Sequence, residues 1–572
     1  MEFVSYSIAS NDFRRAGAAS RSIKEHLKRI GADAEAIRRT MIAAYEAEMN
    51  VVIHSVGGRL EACLSDSQID VNVLDDGPGI PDVEQAMVEG FSTAGAEARA
   101  LGFGAGMGLP NIKRNSDRLR ITSRVGEGTR VSFTVNLKPE ATRANALPQA
   151  ASLYASADRC RDCRACLTAC PTQAMRVREG RPAVLEHLCV ECTGCIGACA
   201  TEALGIREEI TSLGDLEHKE EMLLAVPPAL LAGCGAEYGP AQVLAALRSL
   251  GFAGVITSAP FEQALREAAA AEARARTVAG EAAAEGGGAA TATPLIVPSC
   301  PAVVNLIELR FPSLVPHLAP FDSPWEAVQA AYGNRGVAYV VSCPSQRSAL
   351  LAHAEARAEC LAPEVVREAV MVKLTGGGAP GAAEGRAGEA TPAGNGKAST
   401  SATAAAAGGL VPGAAATGAQ PERDEILTVT GIQHVMAVLE DLENGLLDDL
   451  TVIDPYACEG GCFGSPLLAE DYHVATRRLS RGGVAEAPDG VATAVARRRP
   501  FAARPGIRLD ADMGRAIQKL AQLQTVLHSL PGRDCGACGA PTCASLAEDV
   551  VMQRASVELC PYTVTGGADK EA

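Results

Sequence analysis

The chain has 572 residues, which is too long for one hydrophobic core and predicts about three or four domains. Its 68 acidic and 52 basic side chains give a formal net charge of -16, which disfavours nucleic acid as the main partner. The sequence has no apolar run long enough to span a membrane and its first residues lack the pattern of a signal peptide, so we expect a cytoplasmic protein.

The first 140 residues combine strand and helix patterns. A strand is predicted near residues 3–8, and helical stretches follow at about 12–30 and 33–54. Alternating apolar residues then predict two strands near 58–64 and 68–74. These elements carry four short motifs that contain polar residues or glycines.

The four motifs follow one another along this region. Glu46 and Asn50 are four residues apart and therefore share one face of the second helix. The other three motifs contain, in order, Asp75, Gly77 and Gly79, then Gly104, Gly106 and Gly108, and finally Thr129. In this order and spacing they resemble the boxes of the GHKL ATPase fold, an α/β sandwich shared by histidine kinases, gyrase, Hsp90-type chaperones and anti-sigma-factor serine kinases.

The resemblance implies a site for ATP and Mg²⁺. Asn50 would ligate magnesium through its side-chain oxygen, and Glu46 would orient or deprotonate the attacking group. Asp75 would accept a hydrogen bond from the adenine amino group. The remaining residues would shape the site: Gly77 and Gly79 beside the base, Gly104, Gly106 and Gly108 in a flexible lid before a helix that faces the phosphates, and Thr129 in the adenine pocket.

The subclass follows from what precedes the first motif. About 45 residues stand before Glu46, which leaves no room for the phosphoacceptor hairpin of histidine kinases. The nearest resemblance is therefore to the anti-sigma-factor serine kinases, which bind a protein partner. His54 is interpreted as a helix-face residue, not as a phosphorylation site. Two alternatives stay open: an α/β sandwich without nucleotide, and a domain that binds nucleotide but has lost catalysis.

Residues 150–207 contain the pattern C-x2-C-x2-C-x3-C twice. The eight cysteines are Cys160, Cys163, Cys166, Cys170, Cys189, Cys192, Cys195 and Cys199. The pattern resembles bacterial ferredoxins, in which the fourth cysteine of each run ligates the other of two 4Fe-4S clusters. The resemblance implies that Cys199 completes the first cluster site and Cys170 the second. Zinc ribbons and a disulfide framework are the alternatives, and the spacing disfavours both.

Residues 218–480 contain four more cysteines in three landmarks. VPSCPAVV surrounds Cys300, VVSCPSQR surrounds Cys343, and YACEGGCFG contains Cys458 and Cys462. In order, these landmarks resemble the three active-site signatures of the large-subunit domain of iron-only (FeFe) hydrogenases. The resemblance implies a 4Fe-4S cluster on the four cysteines, with the last of them also bridging to a diiron centre.

Three residues beside these cysteines depart from the hydrogenase pattern. Ser299 stands where the family has a proton-relaying cysteine, and a hydroxyl has a far higher pKa than a thiol. Gln346 replaces a lysine that bonds a cyanide ligand, and Ser342 replaces a methionine that packs on the diiron centre. We therefore expect the 4Fe-4S cluster, regard the diiron centre as doubtful, and expect no efficient hydrogen turnover.

Three segments are poor in large apolar residues. Residues 268–293 and 374–421 are interpreted as low-complexity insertions and 481–508 as a linker, because they bury too little surface to offset the entropy of ordering. The three arginines at 497–499 are interpreted as part of a solvated loop.

The C-terminal residues 509–572 contain a third kind of cysteine pattern, C-x2-C-x4-C-x16-C. Its members are Cys535, Cys538, Cys543 and Cys560. It resembles the small cluster-binding domain of electron-transport complex subunits and corrinoid iron-sulfur proteins, which implies a further 4Fe-4S cluster and a helix from about 542 to 556. A zinc site is the alternative.

The sequence therefore predicts a multidomain chain of α/β and α+β folds. Its parts are a GHKL sandwich at 1–140, a ferredoxin-type domain at 150–207, a hydrogenase-like α/β domain at 218–480, a linker at 481–508 and a small helical cluster domain at 509–572. The cofactors expected are ATP, Mg²⁺ and three 4Fe-4S clusters, with a fourth at the hydrogenase-like cysteines.

Two functions fit this combination. In the first, a degenerate hydrogenase-like module senses redox state or hydrogen, and the kinase-like domain passes that state to a protein partner of the anti-sigma or antagonist type, as an ATPase or a serine/threonine kinase. In the second, the chain is an electron-transfer or catalytic component of an FeFe-hydrogenase system with an electron-carrier partner. We favour the first, because a relay alone has no evident use for an ATPase domain.

Overall fold

The computed structural model describes most of the chain. The described residues are 2–93, 106–137, 153–178, 180–206, 212–285, 294–352, 358–375, 426–447, 450–468, 470–482, 494–504, 506 and 508–563. Within these residues, none of the helices is both long enough and apolar enough to cross a membrane.

The N-terminal domain is an α/β sandwich, as predicted. Its antiparallel sheet has the order β1-β2-β3-β5-β4. The strands are β1 Glu2–Ala9, β2 Gly57–Leu64, β3 Gln68–Asp75, β4 Arg118–Arg124 and β5 Gly128–Asn136. The helices are Ala18–Ile30, Ala34–His54, Val83–Ala86 and Gly108–Arg114. Alternate residues of β2 and β3 are buried against the two long helices, which is the period-two pattern that predicted these strands.

A buried carboxylate joins the two long helices. Glu48 is 3% exposed, and its oxygens accept hydrogen bonds from the backbone N–H groups of Ala19 and Ser20 at 3.2 and 3.0 Å. These amides begin the helix Ala18–Ile30 and have no partner within it, so Glu48 caps that helix from a distance. The same bond fixes the helix Ala34–His54, which carries Glu46 and Asn50.

The cysteine-rich region that follows has an internal repeat. It contains the hairpin of β7 Met175–Arg178 with β8 Arg181–Val184 and the pair of β6 Leu153–Ala155 with β9 Leu204–Ile206. Its short helices are Ala165–Ala169, Gly194–Gly197 and the 3-10 helix Glu186–Leu188. Non-glycine residues with positive φ recur 29 residues apart: Asp162 with Glu191, Arg164 with Thr193, and Gln173 with Glu202. The two halves therefore share one backbone path.

The hydrogenase-like region has two parallel sheets, with the orders β11-β10-β13-β14 and β12-β16-β15. The strands are β10 Leu223–Val226, β11 Gly254–Thr257, β12 Leu295–Ile296, β13 Val337–Val340, β14 Glu359–Leu361, β15 Ile426–Thr430 and β16 Val452–Tyr456. Strands β10, β13 and β16 are buried at every residue, as expected for parallel strands with both faces covered.

Helices surround these two sheets. They are Pro228–Ala232, Pro240–Arg248, Ala259–Glu285, Pro301–Arg310, Pro324–Tyr332, Pro344–Leu351, Pro363–Leu374, Ile432–Glu443 and Tyr472–Gly482. Short 3-10 helices lie at Leu213–Asp215, Lys219–Glu221, Pro312–His317, Gly333–Arg335 and Gly461–Gly464. Pro301 and Pro344 are the first residues of helices that directly follow Cys300 and Cys343, so each of these cysteines stands at a helix start.

The first predicted insertion is largely a helix. The helix Ala259–Glu285 runs through the first part of 268–293, and Ala269, Ala270 and Ala273 on it are buried. The expectation that this segment could not become ordered is therefore wrong as far as Glu285, because alanine has the highest helix propensity and fits a close helix contact. Residues 286–293 and 376–425 lie outside the described residues.

The predicted linker also packs against the hydrogenase-like region. Arg497 Nη1 lies 2.8 Å from Glu326 Oε1, and Arg498 Nε lies 2.6 Å from Asp322 Oδ2. Both acidic side chains are buried and need a cationic partner. The interpretation of this segment as a solvated loop is therefore wrong for Arg497 and Arg498.

The C-terminal domain packs on the N-terminal sandwich. It contains the helices Met513–Ser529 and Cys543–Val551 and the 3-10 helix Val557–Leu559, so the predicted second helix is present but ends earlier than expected. Leu520 and Leu546 belong to the same hydrophobic core as Leu27 of the first helix. The two ends of the chain therefore share one core.

A buried ion pair holds the C-terminal domain to the cysteine-rich region. Asp549 is 1% exposed. It makes a two-bonded contact with the guanidinium of Arg176, at 2.6 and 3.0 Å, and Arg178 lies 2.8 Å from the same carboxylate. Two-bonded pairs of this kind fix orientation as well as distance.

The first prediction concerns this pair. Asp549→Asn should reduce the local free energy of unfolding at helix Cys543–Val551 by about 3–5 kcal/mol, because it leaves buried arginine charge unpaired. Hydrogen exchange of the backbone amides of that helix measures the loss. Glu127→Gln, which removes an exposed pair with Arg124, is the control and should change stability by less than about 1 kcal/mol. Equal effects of the two variants would contradict the prediction.

Candidate nucleotide and iron-sulfur sites

The N-terminal domain contains a large pocket of about 730 Å³ beside the helix Ala34–His54. Seven of the predicted nucleotide-site residues line it: Glu46, Asn50, Asp75, Gly79, Gly106, Gly108 and Thr129. Gly77 lies next to this wall, and Gly104 lies outside the described residues. We call this cavity the nucleotide pocket.

One end of the pocket holds a carboxylate beside two amides. Asn111 Nδ2 donates a hydrogen bond to Glu46 Oε1 at 2.7 Å. Burial raises the pKa of the Glu46 carboxyl, and the bond from Asn111 opposes this shift. A side chain at Gly108 would begin 3.1 Å from Asn50 Oδ1 and 3.4 Å from Glu46 Oε2, so only glycine leaves that space free. A buried, oriented carboxylate with a raised pKa is suited to take up a proton.

The other end of the pocket is built on two paired strands. Asp75 lies directly opposite Thr129 in the antiparallel pair of β3 and β5, so the two side chains stand on the same side of the sheet. Asp75 Oδ1 accepts a hydrogen bond from the Gly77 N–H at 2.8 Å, and Thr129 Oγ1 lies 2.9 Å from Ser123 Oγ. This end therefore presents a carboxylate and a hydroxyl at fixed positions.

Two glycines of the motifs are required by the backbone. Gly79 has φ +73° and Gly106 has φ +76°. A Cβ atom at Gly79 would lie 2.1 Å from the Arg124 carbonyl oxygen, and one at Gly106 would lie 2.4 Å from the backbone of Gly90. Both positions accept glycine alone, because other residues rarely adopt this φ and have no room here.

The sequence analysis gave no role to Asn111, which bonds to Glu46 of the pocket, and it missed several residues that line the pocket itself. Asn111 stands in the third glycine-rich segment, GAGMGLPN, and its position on the helix Gly108–Arg114 was a usable signal. Asn444, Gly445 and Leu446 come from the hydrogenase-like region and line the same pocket. No local pattern identifies these three residues, because the contact is between distant parts of the chain.

The eight cysteines of the repeat lie in two groups, and each group contains one cysteine from the other run. Burial raises the pKa of the Cys166 thiol to about 11, and its charged neighbours are Cys160, Cys163 and Cys199. Burial likewise raises the pKa of Cys195, whose neighbours include Cys189, Cys192 and Cys170. These neighbours agree with the exchange of Cys199 and Cys170 that the ferredoxin resemblance implies, and the ligand sets themselves stay a prediction.

The exchanged cysteines have matching surroundings. Ala174 N–H points to Cys170 Sγ at 3.2 Å, and Ala203 N–H points to Cys199 Sγ at the same distance. Backbone donors to sulfur stabilise thiolates that ligate iron-sulfur clusters. Within the described residues, no three His, Cys, Asp or Glu side chains converge on a point that one metal ion could occupy.

The four cysteines of the hydrogenase-like region line a second, small cavity of about 20 Å³. Its wall includes Cys300, Cys343, Cys458 and Cys462. Burial raises the pKa of Cys343 to about 12 and also raises that of Cys300, although backbone N–H groups of Ala457, Val303 and Ala302 oppose the shift at Cys300. Four thiols from three chain segments, one buried and three half-buried, suit a bound cluster, since iron replaces the proton that burial would otherwise retain.

The substituted residues lie around Cys462. Gln346 Nε2 points to Cys462 Sγ at 3.7 Å, and Gln346 Oε1 accepts a hydrogen bond from the Ser342 N–H at 2.8 Å. Ser465 Oγ donates to the Ser342 carbonyl oxygen. Ser299 is buried next to Cys300. Around Cys462 the cavity wall therefore presents the amide of Gln346 and the hydroxyls of Ser342 and Ser465, and Glu262 is a charged neighbour of the same thiol.

This cavity adjoins the second half of the repeat. Thr193 Oγ1 lies 4.0 Å from Cys458 Sγ, and Cys192 and Glu191 form part of the cavity wall. Cys192 therefore belongs to the second run of the repeat and also borders the cavity of the hydrogenase-like cysteines.

The C-terminal cysteines adjoin the first half. Cys543 and Cys560 are buried, Cys535 is exposed, and the charged neighbours of Cys538 are Cys560 and Cys535. Arg164 Nη1 donates to the Gly536 carbonyl oxygen at 3.0 Å, and the Val177 N–H donates to that of Gly539 at 2.9 Å. The four cysteine sets therefore form a row from the C-terminal domain through both halves of the repeat to the hydrogenase-like cavity.

Comparison with family models identifies three parts of the chain. Residues 36–139 match "Histidine kinase-, DNA gyrase B-, and HSP90-like ATPase". Residues 220–336 match "Iron only hydrogenase large subunit, C-terminal domain", and residues 530–562 match "Putative Fe-S cluster". The chain is thus a multidomain iron-sulfur protein with an ATP-binding domain and a hydrogenase-like domain.

Curated relatives match the N-terminal part. The anti-sigma F factor of Caldanaerobacter subterraneus is 35% identical over 100 residues, which are 18% of this chain and 62% of that protein. The serine/threonine-protein kinase RsbT of Bacillus subtilis is 46% identical over 57 residues, covering 10% of this chain and 37% of the kinase. The anti-sigma F factor of Clostridium novyi is 30% identical over 144 residues, which are 24% of this chain and 93% of that protein.

Solved structures are similar at lower identity. A variant of [FeFe]-hydrogenase HydA1 from Chlamydomonas reinhardtii is 13% identical, with a TM-score of 0.31, over 50% of this chain and 89% of the hydrogenase. A mycobacterial sensor histidine kinase, MprB, is 20% identical, with a TM-score of 0.15, over 18% of this chain and 73% of the kinase. The chain spans less than two thirds of the Caldanaerobacter anti-sigma F factor and of RsbT, but nearly all of the Clostridium novyi protein. Through its N-terminal domain, the chain belongs to the anti-sigma F factor family of histidine kinase-, gyrase B- and HSP90-like ATPases.

Proposed function

We propose that the protein is a redox sensor in which iron-sulfur clusters control an ATP-dependent serine/threonine kinase-like domain. The observation that carries the proposal is the hydrophobic core that the N-terminal and C-terminal domains share. Leu27 of the first domain belongs to the same core as Leu520 and Cys543 of the second. A cysteine of the C-terminal set is thus part of the core on which the nucleotide pocket is built. A change in the charge of a cluster at the C-terminal cysteines would therefore act on the core that supports the nucleotide pocket.

The proposed cofactors are Mg-ATP and four 4Fe-4S clusters. Asn50 would hold the magnesium ion, and Asp75 would bind the adenine amino group. The clusters would lie on the four cysteine sets already described, and they would supply one-electron chemistry when bound. The hydrogenase-like set supports sensing over turnover, because Gln346 and Ser299 replace the groups that the hydrogenase pattern uses at the diiron centre.

The proposed reaction is transfer of the γ-phosphoryl group to a serine or threonine hydroxyl of a protein partner. Glu46 would accept the hydroxyl proton, and Asn111 would hold the carboxylate in position for this step. The similarity to anti-sigma F factors and RsbT supports a partner that exchanges between protein complexes, such as an anti-sigma antagonist.

A second function, electron relay, is supported by one observation. The exposed Cys163 and Cys535 belong to the two cysteine sets at one end of the row, whereas the cysteines of the hydrogenase-like cavity at the other end are buried or half-buried. Such a row could pass electrons from an external carrier to the cavity. The two functions differ in whether the redox state changes the behaviour of the nucleotide site.

The second prediction tests the magnesium ligand. Asn50→Ala should weaken binding of Mg-ATP by about tenfold or more, because it removes a hard oxygen donor, and it should have little effect on ATP measured in EDTA. Titration with a fluorescent ATP analogue gives both constants. Asn72→Ala, on the outer face of β3, is the matched control. Unchanged Mg-ATP affinity in Asn50→Ala would exclude this role.

The third prediction concerns pH. Glu46 must be deprotonated to act as a base, and burial raises its pKa, so phosphorylation should fall as the pH drops through a value above the ordinary glutamate range. Asn111→Ala removes the bond that lowers this pKa and should move the acidic limb to higher pH. Glu46→Gln should reduce the rate by about 100-fold or more with ATP affinity retained. A pH-rate profile for Asn111→Ala that matches that of the native chain would contradict the assignment.

The fourth prediction separates sensor from relay. Affinity for Mg-ATP, or phosphorylation of a partner, should differ between the air-oxidised and the dithionite-reduced protein. Identical behaviour in both states would favour the relay. Infrared spectra of the anaerobically matured protein should lack the CO and cyanide bands of a diiron centre; strong bands would instead support hydrogen chemistry.

A further inference from the structure

The nucleotide pocket has a wall that its own domain does not supply. Asn444, Gly445 and Leu446 line it together with residues of the helix Ala34–His54. Leu446 is 53% exposed, which is unusual for a leucine that borders a cavity. Asp441, one turn before this loop, is among the charges that raise the pKa of Tyr45, the neighbour of Glu46. The loop therefore stands near the Glu46 end of the pocket.

This loop directly follows the helix Ile432–Glu443, which we call the coupling helix. At the start of the coupling helix, the Gly431 N–H donates to the carbonyl oxygens of Tyr456 and Cys458, at 3.0 and 3.2 Å. Along its length Val435 and Leu439 are buried in the same hydrophobic core as Cys300. The coupling helix is therefore bonded at one end to a cysteine segment of the hydrogenase-like cavity.

The other end of the coupling helix is tied to the N-terminal domain. Glu443 is buried and forms ion pairs with Lys24 and, at 3.7 Å, with Lys28, both on the helix Ala18–Ile30. Ser313 Oγ donates to the same carboxylate. A buried carboxylate held by two lysines and a hydroxyl resists displacement, since each partner it loses is left unpaired. The end of the coupling helix next to the loop at 444–446 is thus joined to the N-terminal domain.

We infer that the loop Asn444–Leu446 contacts the bound nucleotide, so that the ATP site is shared between two domains and the coupling helix links it to the hydrogenase-like cysteines. This inference rests on the proposed function, since it assumes that the pocket binds ATP. A nucleotide that touches the loop stabilises one position of the coupling helix. The protein should therefore bind the nucleotide more tightly in the redox state that favours the same position of the coupling helix. By linkage, bound nucleotide should shift the equilibrium between oxidised and reduced cluster by the same factor.

The first experiment changes the charge of the loop in the full-length protein with its clusters. Leu446→Asp should weaken Mg-ATP binding by about tenfold and Leu446→Lys should strengthen it, because the triphosphate is negative. Leu446 is exposed, so neither variant disturbs a core. Leu351→Asp and Leu351→Lys, at another exposed leucine of the same region, are matched controls and should leave the affinity unchanged. Iron content and visible spectra check that the clusters are retained.

The second experiment measures linkage from the cluster side. Potentiometric titrations followed by EPR, with and without Mg-ATP, should give different midpoint potentials for the hydrogenase-like set. A tenfold redox dependence of ATP affinity corresponds to a shift of about 59 mV for one electron. In Leu446→Asp this shift should shrink together with the affinity.

The outcomes separate the inference from the function on which it rests. If the native chain binds no Mg-ATP in either redox state, the proposed function itself fails. If it binds ATP with a redox-dependent affinity but both Leu446 variants match the native chain, the shared site is excluded and the sensor proposal stands. A potential that ATP does not shift, in a chain whose Leu446 variants do alter ATP affinity, excludes the link through the coupling helix.

Discussion

The domain arrangement depends on a carboxylate that has no access to water. Asp549 joins the C-terminal domain to Arg176 and Arg178 of the cysteine repeat, and the C-terminal domain in turn shares its core with the ATPase domain. Further hydrogen bonds join the same two parts, among them Arg164 Nη1 to the Gly536 carbonyl oxygen and Ser545 Oγ to Gln173 Oε1. A buried pair of this geometry stabilises little by itself, but it permits one orientation of the two domains.

The same principle recurs at Glu443 and at Asp322, where a buried acid meets basic groups from a distant part of the chain. Each pair lies at a boundary between regions, and none lies at a cysteine. Buried charge therefore contributes to these boundaries, together with the apolar core that the N-terminal and C-terminal domains share.

The sequence allowed prediction of features with local causes. Glu46 and Asn50 follow from the helical period, and the sets of cysteines follow from ligand spacing, because both depend on a few consecutive residues. Features set by distant contacts could not be predicted. Arg497 and Arg498 were predicted to be solvated because their partners, Asp322 and Glu326, are about 175 residues away in the sequence. The loop at Leu446 has no sequence motif. The helix through Ala269 was missed because an alanine-rich composition is compatible with both disorder and close packing.

The two halves of the cysteine repeat follow the same backbone path, but residues at equivalent positions contact different parts of the chain. Arg164 in the first half bonds the loop of the C-terminal cysteines, while Thr193, its counterpart 29 residues later, lies against Cys458 of the hydrogenase-like cavity. Different contacts at matching positions give the two halves different surroundings, so two clusters held on the same backbone path would lie in unlike environments.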